Sequence, residues 1–364
     1  MDSYYEETRF LATHWHHLCR AGVFAKSGAT FENTPAWRTF EVTTRVEVLK
    51  PSGVTHIWLP AALIRNTPFQ KTLANKFHAE GGTAKFTENK QDALGIISGT
   101  YPENARPVLT LTSRVSLKNY SVDVSGTTPA PHVSQTELEY YLQPTKYVPT
   151  DGIVKETAGK ATKGATTDID KARAIYEWVV ENTFRDPKVR GCGRGDIRFM
   201  LESGDLGGKC ADLNALYVGL ARSAGLPARH IYGLRIAKSE FGYNSLGLAT
   251  DKATKGQHCR SEVYLKDQGW VPVDPGDVRK VVLEEPPGNL KLNDDMVAKA
   301  RTRLFGSSEM NWMAYNYAHD VALPGSSKDP LVYFMYPQAE TAEARVDPFD
   351  PDNFKYEITV KELS

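Results

Sequence analysis

The sequence is poor in cysteine, with four cysteines among its 364 residues. This number is too small for a disulfide scaffold in a chain of this length, and no CxxC pair is present. One disulfide bond remains possible, between Cys19 or Cys192 and another cysteine. The other two cysteines, Cys210 and Cys259, are weighed below as reactive or packed thiols.

The chain also lacks net charge and long apolar segments. Lys and Arg total 44, as do Asp and Glu, so the formal net charge is zero. This balance gives no electrostatic reason to expect nucleic acid or an anionic membrane as a partner. No apolar run reaches the roughly 18 residues that a membrane-spanning helix requires. We therefore expect a soluble protein with no membrane span, whose oligomeric state the sequence leaves open.

The first 35 residues lack the uninterrupted apolar centre of an export signal. Their start is acidic, and residues 14–17 (His-Trp-His-His) interrupt the apolar positions. We interpret residues 1–35 as a leader remnant or an N-terminal helix and expect the folded part of the chain to start near Trp37. The histidines do not complete a metal site, so we expect an exposed cluster without a ligand.

Alternating apolar residues predict strands from Trp37 onwards. Residues 40–48 and 55–59 alternate around the sequence Pro51-Ser52-Gly53, which predicts a β-hairpin. Further strand-like runs follow at 82–87, 93–100 and 108–118. Residues 36–135 are therefore predicted to form a β-sandwich. The Ser-, Thr-, Gly- and Pro-rich end of this region is its boundary.

Helices and then strands are predicted after this boundary. Thr167 can cap a helix with apolar residues at helical spacing, and a second helix is predicted from Cys210 to Ala224. Gly225 and Pro227 end that second helix. Three short strands follow, at 230–236, 260–265 and 270–273. Residues 136–290 are thus predicted to be an α+β core, on which a C-terminal extension, 291–364, packs with strands near 332–335 and 356–360.

Cys210 comes shortly after Gly207 and Gly208 and begins a strongly amphipathic predicted helix. The glycines allow a sharp turn and leave the sulfur open to a substrate. The unpaired N–H groups and the positive end of the helix dipole favour a thiolate at this position. By itself Cys210 is either a small packed residue or a nucleophile.

A histidine and a carboxylate follow on the predicted strands. His258 begins one strand, and Asp274 comes directly after the next, which starts with a turn at Gly269. Because adjacent antiparallel strands place such residues side by side, Cys210, His258 and Asp274 can meet as nucleophile, base and orienting carboxylate. The same three residues could ligate zinc, but no fourth ligand is evident, and their order favours catalysis.

Four motifs around these residues resemble the transglutaminase-like superfamily. The first motif, residues 208–216 (Gly-Lys-Cys-Ala-Asp-Leu-Asn-Ala-Leu), contains the cysteine, and the second, 220–229, follows it. The third motif, 258–265, begins with the histidine, and the fourth, 269–275 (Gly-Trp-Val-Pro-Val-Asp-Pro), contains the aspartate. The motifs occur in the family's order and at suitable spacing. The resemblance covers residues 165–285, about a third of the chain.

Two flanking motifs resemble an exported bacterial subgroup of that superfamily. They are residues 309–312 (Glu-Met-Asn-Trp) and 335–340 (Met-Tyr-Pro-Gln-Ala-Glu). The resemblance implies a natural precursor that is periplasmic or secreted, with cytoplasmic residence as the alternative. One position departs from the family: the residue two after the histidine is often aromatic, and here it is Arg260. This change leaves the triad intact but alters the expected wall of the substrate groove.

The resemblance implies an α+β fold with a papain-like core, an N-terminal β-sandwich and a β-containing C-terminal extension. It implies that the Cys210 thiolate attacks an amide carbonyl and forms a thioester, with no metal or organic cofactor. We expect hydrolysis of a peptide or small amide substrate. A transglutaminase-type acyltransferase or cross-linker is the alternative, and a non-catalytic peptide-binding protein is a further one.

Five residues are expected to contact substrate, of which Gly208 and Lys209 precede Cys210, Arg260 and Glu262 share the strand face of His258, and Trp312 belongs to the flanking motif 309–312. Strand alternation directs Cys259 away from the face of His258, so we expect it to be packed. Cys192 lies in a glycine-rich loop that could reach the site or supply a disulfide.

Overall fold

The computed structural model describes residues 36–126 and 133–363. The N-terminal segment with Cys19 and the histidine cluster lies outside the described residues, so the expectations for it stay predictions. Within the two described ranges, no helix is both long and apolar enough to cross a bilayer.

Strands make up the first part of the described chain. In β1 the apolar residues Phe40, Val42 and Val46 are buried in alternation with more exposed neighbours, which is typical of a strand with one face on a core. The strands of this part are β1 (Arg38–Val48), β2 (Thr55–Pro60), β3 (Gln70–Glu80), β4 (Thr83–Asn89), β5 (Leu94–Tyr101), β6 (Val108–Leu117) and β7 (Tyr120–Ser121).

Helices and strands then form the core. Thr167 caps the third helix through a reciprocal pair of hydrogen bonds with Asp170, as its sequence predicts. The elements are α1 (Gln135–Tyr140), α2 (Gly152–Ala161), α3 (Asp168–Asn182), β8 (Phe184–Arg185), α4 (Ile197–Ser203), β9 (Gly207–Gly208), α5 (Cys210–Ser223), β10 (Ala228–Arg235), β11 (Gln257–Leu265), β12 (Gly269–Val273), α6 (Pro275–Glu284) and α7 (Asp295–Arg303).

Short strands fill most of the C-terminal part, and the last strand is long. They are β13 (Ser307–Ser308), β14 (Trp312–Asn316), β15 (His319–Val321), β16 (Leu331–Tyr333), β17 (Gln338–Glu340), β18 (Arg345–Val346) and β19 (Phe354–Leu363). The predicted strands near 332–335 and 356–360 correspond to β16 and β19.

Two sheets form the β-sandwich, with strand orders β19-β1-β6-β3 and β18-β17-β2-β5-β4. The strands β1 and β2 were predicted to pair as a hairpin, and this pairing is wrong. The turn at Pro51-Ser52-Gly53 carries the chain from one sheet to the other, so the two strands lie in different layers. Val46 of β1 and Ile57 of β2 are both fully buried in the same apolar cluster. They therefore meet across the sandwich and not along one sheet.

The C-terminal strands connect the sandwich with the core. β19 is antiparallel to β1 over its whole length, from Thr39 opposite Leu363 to Val48 opposite Phe354. β17 pairs with β2 in the other sheet, and β14 pairs with β10 of the core. Strands from the region predicted as an extension are thus integral members of both sheets of the sandwich.

The core is an antiparallel sheet, β12-β11-β10-β14, with α5 packed on it. Every residue of α5 from Cys210 to Arg222 is buried, which places the helix in the middle of the molecule. The start of this helix at Cys210 is confirmed. The predicted antiparallel pair around Gly269 is confirmed as well, since Leu265 of β11 lies opposite Gly269 of β12.

Candidate active site

Cys210 is the first residue of α5, and its side chain lines a cavity of about 660 Å³. The turn before it is held by Asp212, whose Oδ2 accepts the Lys209 N–H at 2.9 Å. The other oxygen of Asp212 accepts the N–H groups of Arg194 and Gly195 at 2.9 and 2.8 Å. Asp212 thus ties the glycine-rich loop 191–195 to the helix N-terminus. Sequence reasoning missed Asp212, although an acidic residue at the third helical position is a capping signal.

His258 and Asp274 form a buried hydrogen-bonded pair. His258 Nε2 lies 2.8 Å from Asp274 Oδ2, and both residues are less than 4% exposed. Asp274 caps α6, because its Oδ1 accepts the Asp277 N–H at 3.0 Å. Asn214 of α5 donates its Nδ2 to the same Oδ1 at 3.2 Å. The carboxylate is therefore fixed on one side by α6 and α5, and its other oxygen faces the imidazole.

A second carboxylate also faces the imidazole. Asp277 Oδ2 lies 3.4 Å from His258 Nε2, and Asp277 Oδ1 accepts a hydrogen bond from Arg235 Nη2 at 2.5 Å. All three residues are buried. Sequence reasoning missed Asp277 and Arg235. The spacing of Asp274 and Asp277 around a helix start was the available signal for Asp277.

His258, Asp274 and Asp277 place their ligand atoms within 4.8 Å of one another, a donor set that could hold a metal ion. Two guanidinium groups already contact these carboxylates. Arg235 pairs with Asp277, and Arg260 Nε lies 3.8 Å from Asp274 Oδ2. Since these positive charges compensate the carboxylates, the arrangement favours an imidazolium between them over a divalent cation.

The electrostatics of the site favour a thiolate and an imidazolium. The neighbouring thiols of Cys192 and Cys259, and then His258, lower the pKa of Cys210 well below its ordinary value, against the effect of burial. Burial and Arg235 lower the pKa of His258, but Asp277 and Asp274 outweigh them, so that its pKa is raised. Proton transfer from Cys210 to His258 is thus favoured in the resting site.

The two neighbouring cysteines are free and buried, as is Cys210. Burial and the neighbouring Cys210 raise the pKa of Cys259, and the neighbouring Cys210 and then burial raise the pKa of Cys192. The Cys192 thiol donates to the Gln257 carbonyl oxygen at 3.3 Å. Tyr336 donates to Cys192 Sγ at 3.0 Å. The loop therefore does bring Cys192 to the site.

Cys259 was expected to be packed on the strand face opposite His258. It is fully buried, but its thiol also reaches Cys210, so packing alone does not describe it. The reason is that α5 packs on β11. This places the helix N-terminus near two consecutive residues of that strand.

Of the five residues expected to contact substrate, Lys209 lines the cavity. Gly208 is buried behind it, and a side chain there would meet Asp212 Cβ at 2.5 Å. Glu262 is 2% exposed and accepts a hydrogen bond from Arg229 at 2.8 Å. We therefore leave Gly208 and Glu262 out of the proposed substrate site.

Arg260 and Trp312 lie behind the pair of His258 and Asp274 and not in the cavity. Arg260 is 5% exposed, donates to Ser308 Oγ at 2.6 Å, and lies over the Trp312 ring at 4.7 Å. Trp312 Nε1 donates to the His258 carbonyl oxygen at 2.9 Å. Both side chains therefore support the strand that carries His258, and they too are left out of the proposed substrate site.

Comparison with known proteins gives relatives over the whole chain and over its core. A family profile described as the transglutaminase-like superfamily matches residues 155–275. An uncharacterized protein of Haemophilus influenzae is 34% identical over 353 residues, which cover 91% of this chain and 94% of that protein. The uncharacterized protein YebA of Bacillus subtilis is 25% identical over 245 residues, 64% of this chain and 30% of that protein.

The architecture also has a counterpart among solved structures. A candidate cysteine protease from Cytophaga hutchinsonii superposes with a TM-score of 0.50, covering 90% of this chain and 98% of that chain. Its sequence identity is 15%, so this similarity shows the fold alone. The matched family profile includes Cys210, His258 and Asp274. The chain belongs to the transglutaminase-like superfamily.

Proposed function

We propose that the protein is a cysteine-dependent hydrolase that cleaves an amide or peptide bond through a thioester. The observation that carries this proposal is the hydrogen-bonded pair of His258 and Asp274 beside Cys210, at the N-terminus of a buried helix and on the wall of a cavity. A nucleophile, a base and an orienting carboxylate in contact are the parts that acyl transfer requires.

The first step is attack of the Cys210 thiolate on the amide carbonyl carbon, which forms a C–S bond and a tetrahedral oxyanion. His258 then donates its proton to the leaving nitrogen, the C–N bond breaks, and the amine departs from the thioester. In the second step neutral His258 takes a proton from water, whose oxygen attacks the thioester. The C–S bond breaks, releasing the carboxylic acid and the thiolate. Asp274 keeps Nε2 protonated, so that Nδ1 faces the reaction.

The oxyanion needs two hydrogen-bond donors. α5 begins at Cys210, so the N–H of Cys210 has no carbonyl of its own helix to donate to. The second donor in this proposal is the side-chain amide of Gln257. Gln257 precedes His258, lines the cavity, and has a buried Nε2 with no hydrogen-bond partner among the residues described here.

A transglutaminase-type acyltransferase is the second candidate, since an amine can resolve the same thioester. The choice is tested by incubating the enzyme with peptide libraries, with and without a primary amine such as cadaverine, and analysing the products by mass spectrometry. We expect products that have gained one water, and the same products when the amine is present. Products conjugated to cadaverine would identify a transferase instead.

The Cys210→Ala variant is the matched control for that experiment. We expect it to give no product from any library. If wild type and Cys210→Ala give the same products, or if the wild type gives none and its Cys210 resists alkylation, the proposal fails. The last outcome would favour a non-catalytic peptide-binding protein.

For localisation we propose that the natural precursor is exported to the periplasm or secreted. This rests on the resemblance of residues 309–312 and 335–340 to an exported subgroup. Fractionation of the source cells with an antibody against the protein tests it. Recovery in the cytoplasmic fraction alone would contradict the proposal.

A further inference from the structure

The cavity at Cys210 is strongly basic although the chain as a whole carries no net charge. Over the sequence, 44 basic residues balance 44 acidic ones. Within the part of the chain that the structure describes, the cavity lining has six Lys or Arg side chains and no Asp or Glu. The six are Arg185, Lys209, Arg235, Lys255, Lys280 and Lys355.

Three of these basic residues have their charge compensated inside the protein. Arg235 pairs with Asp277 at 2.5 Å. Arg185 forms an ion pair with Glu284, and Lys280 Nζ lies 3.6 Å from Glu284 Oε2. These residues are therefore part of the framework of the cavity.

The other three, Lys209, Lys255 and Lys355, have no carboxylate within ion-pair distance among residues 36–126 and 133–363. They come from the residue before α5, the loop before β11 and the start of β19, so three separate segments supply them. Lys255 and Lys355 are exposed. Unpaired ammonium groups in one concavity form a site for negative charge.

The loop 347–352 carries three acidic residues next to lining residues in sequence, and none of the three lines the cavity. Asp347 pairs with Arg190, and Asp350 accepts a hydrogen bond from Asn353 at 2.5 Å. Asp352 is exposed on the same loop. The loop's contribution to the cavity is instead apolar.

Aromatic side chains form the apolar part of the wall. Phe349 is 37% exposed, lines the cavity, and meets the Tyr336 ring edge-on with 4.9 Å between ring centres. Tyr356 lines the same cavity. A partly exposed aromatic wall gains free energy by covering an apolar side chain. A ligand that carries charge alone would leave this surface uncovered.

We propose that the cavity selects acidic peptides, in which carboxylate side chains near the scissile amide pair with Lys209, Lys255 and Lys355 while an apolar side chain covers Phe349. This inference rests on the proposed function for the identity of the bond that is cleaved. Its electrostatic part can be measured by binding alone. Complementary charge in a concave site raises both the association rate and the discrimination between ligands.

The test uses the full chain with Cys210→Ala, which binds without reacting. Three fluorescein-labelled octapeptide pools are compared by fluorescence anisotropy. Each pool is randomised over neutral residues including Leu and Phe, with two positions fixed as Glu, as Gln or as Lys. We expect the Glu pool to bind about tenfold more tightly than the Gln pool at low salt. The Lys pool should bind more weakly than either.

Charge reversal locates the preference. In the Cys210→Ala chain, the further substitutions Lys255→Glu and Lys355→Glu should remove most of the difference in affinity between the Glu and Gln pools. The matched control pair, Lys160→Glu and Lys163→Glu, changes the net charge equally at exposed residues outside the cavity and should leave the preference within about twofold. Equal binding of the Glu and Gln pools, or equal loss in the two double variants, would overturn the proposal.

The proposed function has its own readout in this experiment. Iodoacetamide labelling of Cys210 in the wild-type chain reports the nucleophile and does not depend on peptide charge. A reactive Cys210 with no Glu preference would refute the acidic-peptide inference and leave the hydrolase proposal standing. A Glu preference in a protein whose Cys210 does not react would refute the hydrolase proposal and leave the acidic-peptide binding standing.

Discussion

The transglutaminase-like core and the β-sandwich draw on different parts of the chain. The proposed triad comes from α5, β11 and the residue after β12, which are close in sequence and in contact. The sandwich instead pairs β1 with β19, strands from the two ends of the described chain. A short-range site can be inferred from motifs, whereas a long-range sheet has partners that no local pattern specifies.

The two regions also bury different chemistry. The site buries His258, Asp274, Asp277 and Arg235 in one charged network. The sandwich cluster that contains Val46 and Ile57 is made of apolar residues and a tyrosine. Changes at Cys210 and Asp274 should therefore act mainly on chemistry, and changes in the sandwich mainly on stability. Asp277 is the exception within the site, because it pairs with the buried Arg235. The predictions below test that division.

The largest effect is expected for Cys210→Ala. Turnover should fall to the level without enzyme, because the other two thiols of the site, Cys192 and Cys259, have raised pKa values and stay protonated. The melting temperature, measured by differential scanning fluorimetry, should stay within a few degrees, since only one sulfur is removed from the cavity wall. Residual turnover through Cys192 or Cys259 would show that the nucleophile is misassigned.

Asp274→Asn should lower kcat by roughly 10²- to 10⁴-fold, because the imidazole loses the anion that holds its tautomer. The loss should be incomplete, since Asp277 still faces the same Nε2 at 3.4 Å. Steady-state kinetics across pH measure both effects. Full activity in Asp274→Asn would remove this residue from the triad.

Asp277→Asn changes the other carboxylate that faces His258, and its main expected effect is on the stability of the fold. It leaves the buried Arg235 guanidinium without its partner, so unfolding should become easier by about 3–5 kcal/mol. Urea denaturation measures this change. If Asp277→Asn were as stable as the wild type, the charge of Asp277 would not be what stabilises Arg235.

Gln257→Ala should lower kcat by about 10²- to 10³-fold with little change in KM, because an oxyanion donor acts in the transition state. Gln257→Glu keeps the size but replaces the donor with a carboxylate and should not rescue activity. An unchanged kcat in both variants would mean that another group supplies the second donor.

Ile57→Ala tests the sandwich. Ile57 is fully buried in β2, and its truncation should destabilise the protein by about 2–5 kcal/mol. Alkylation of Cys210 below the melting temperature should be unchanged. Val54→Ala is the control, because Val54 is 47% exposed and its truncation should change the free energy of unfolding little. If Ile57→Ala also slowed the alkylation of Cys210, the sandwich and the core would not be separable in their effects on chemistry and stability.

The smallest expected change is the response of Cys210 to pH. Because its pKa is lowered, Cys210 stays a thiolate as pH falls, whereas an ordinary thiol loses reactivity about tenfold per unit below its pKa. The iodoacetamide rate at Cys210 should therefore change by less than about threefold between about pH 9 and pH 6. At pH 6 Cys210 should react faster than Cys19, Cys192 or Cys259. Equal rates at the four cysteines would count against a catalytic pair.

The sequence determined much of what is local. Periodicity and capping residues predicted α3 and the start of α5, alternation predicted β1 and β2, and the turn at Gly269 predicted the antiparallel pair β11 and β12. These features depend on neighbours a few residues apart, whose geometry is set by the backbone. The grouping of Cys210, His258 and Asp274 could be inferred from the predicted adjacent strands and from motifs that resemble the superfamily in their order, although their roles stay proposals.

Only the tertiary structure decided which strands pair and which charges meet. β1 and β2 lie in opposite sheets because β6 and β19 flank β1 on both sides. Asp277 reaches His258, and Arg235 reaches Asp277, through the packing of α6 on α5 and the core sheet. Arg260 and Glu262 could be placed on the face of His258 by alternation, but alternation does not specify that this face is buried. Burial and long-range pairing are properties of the whole chain, so no short pattern contains them.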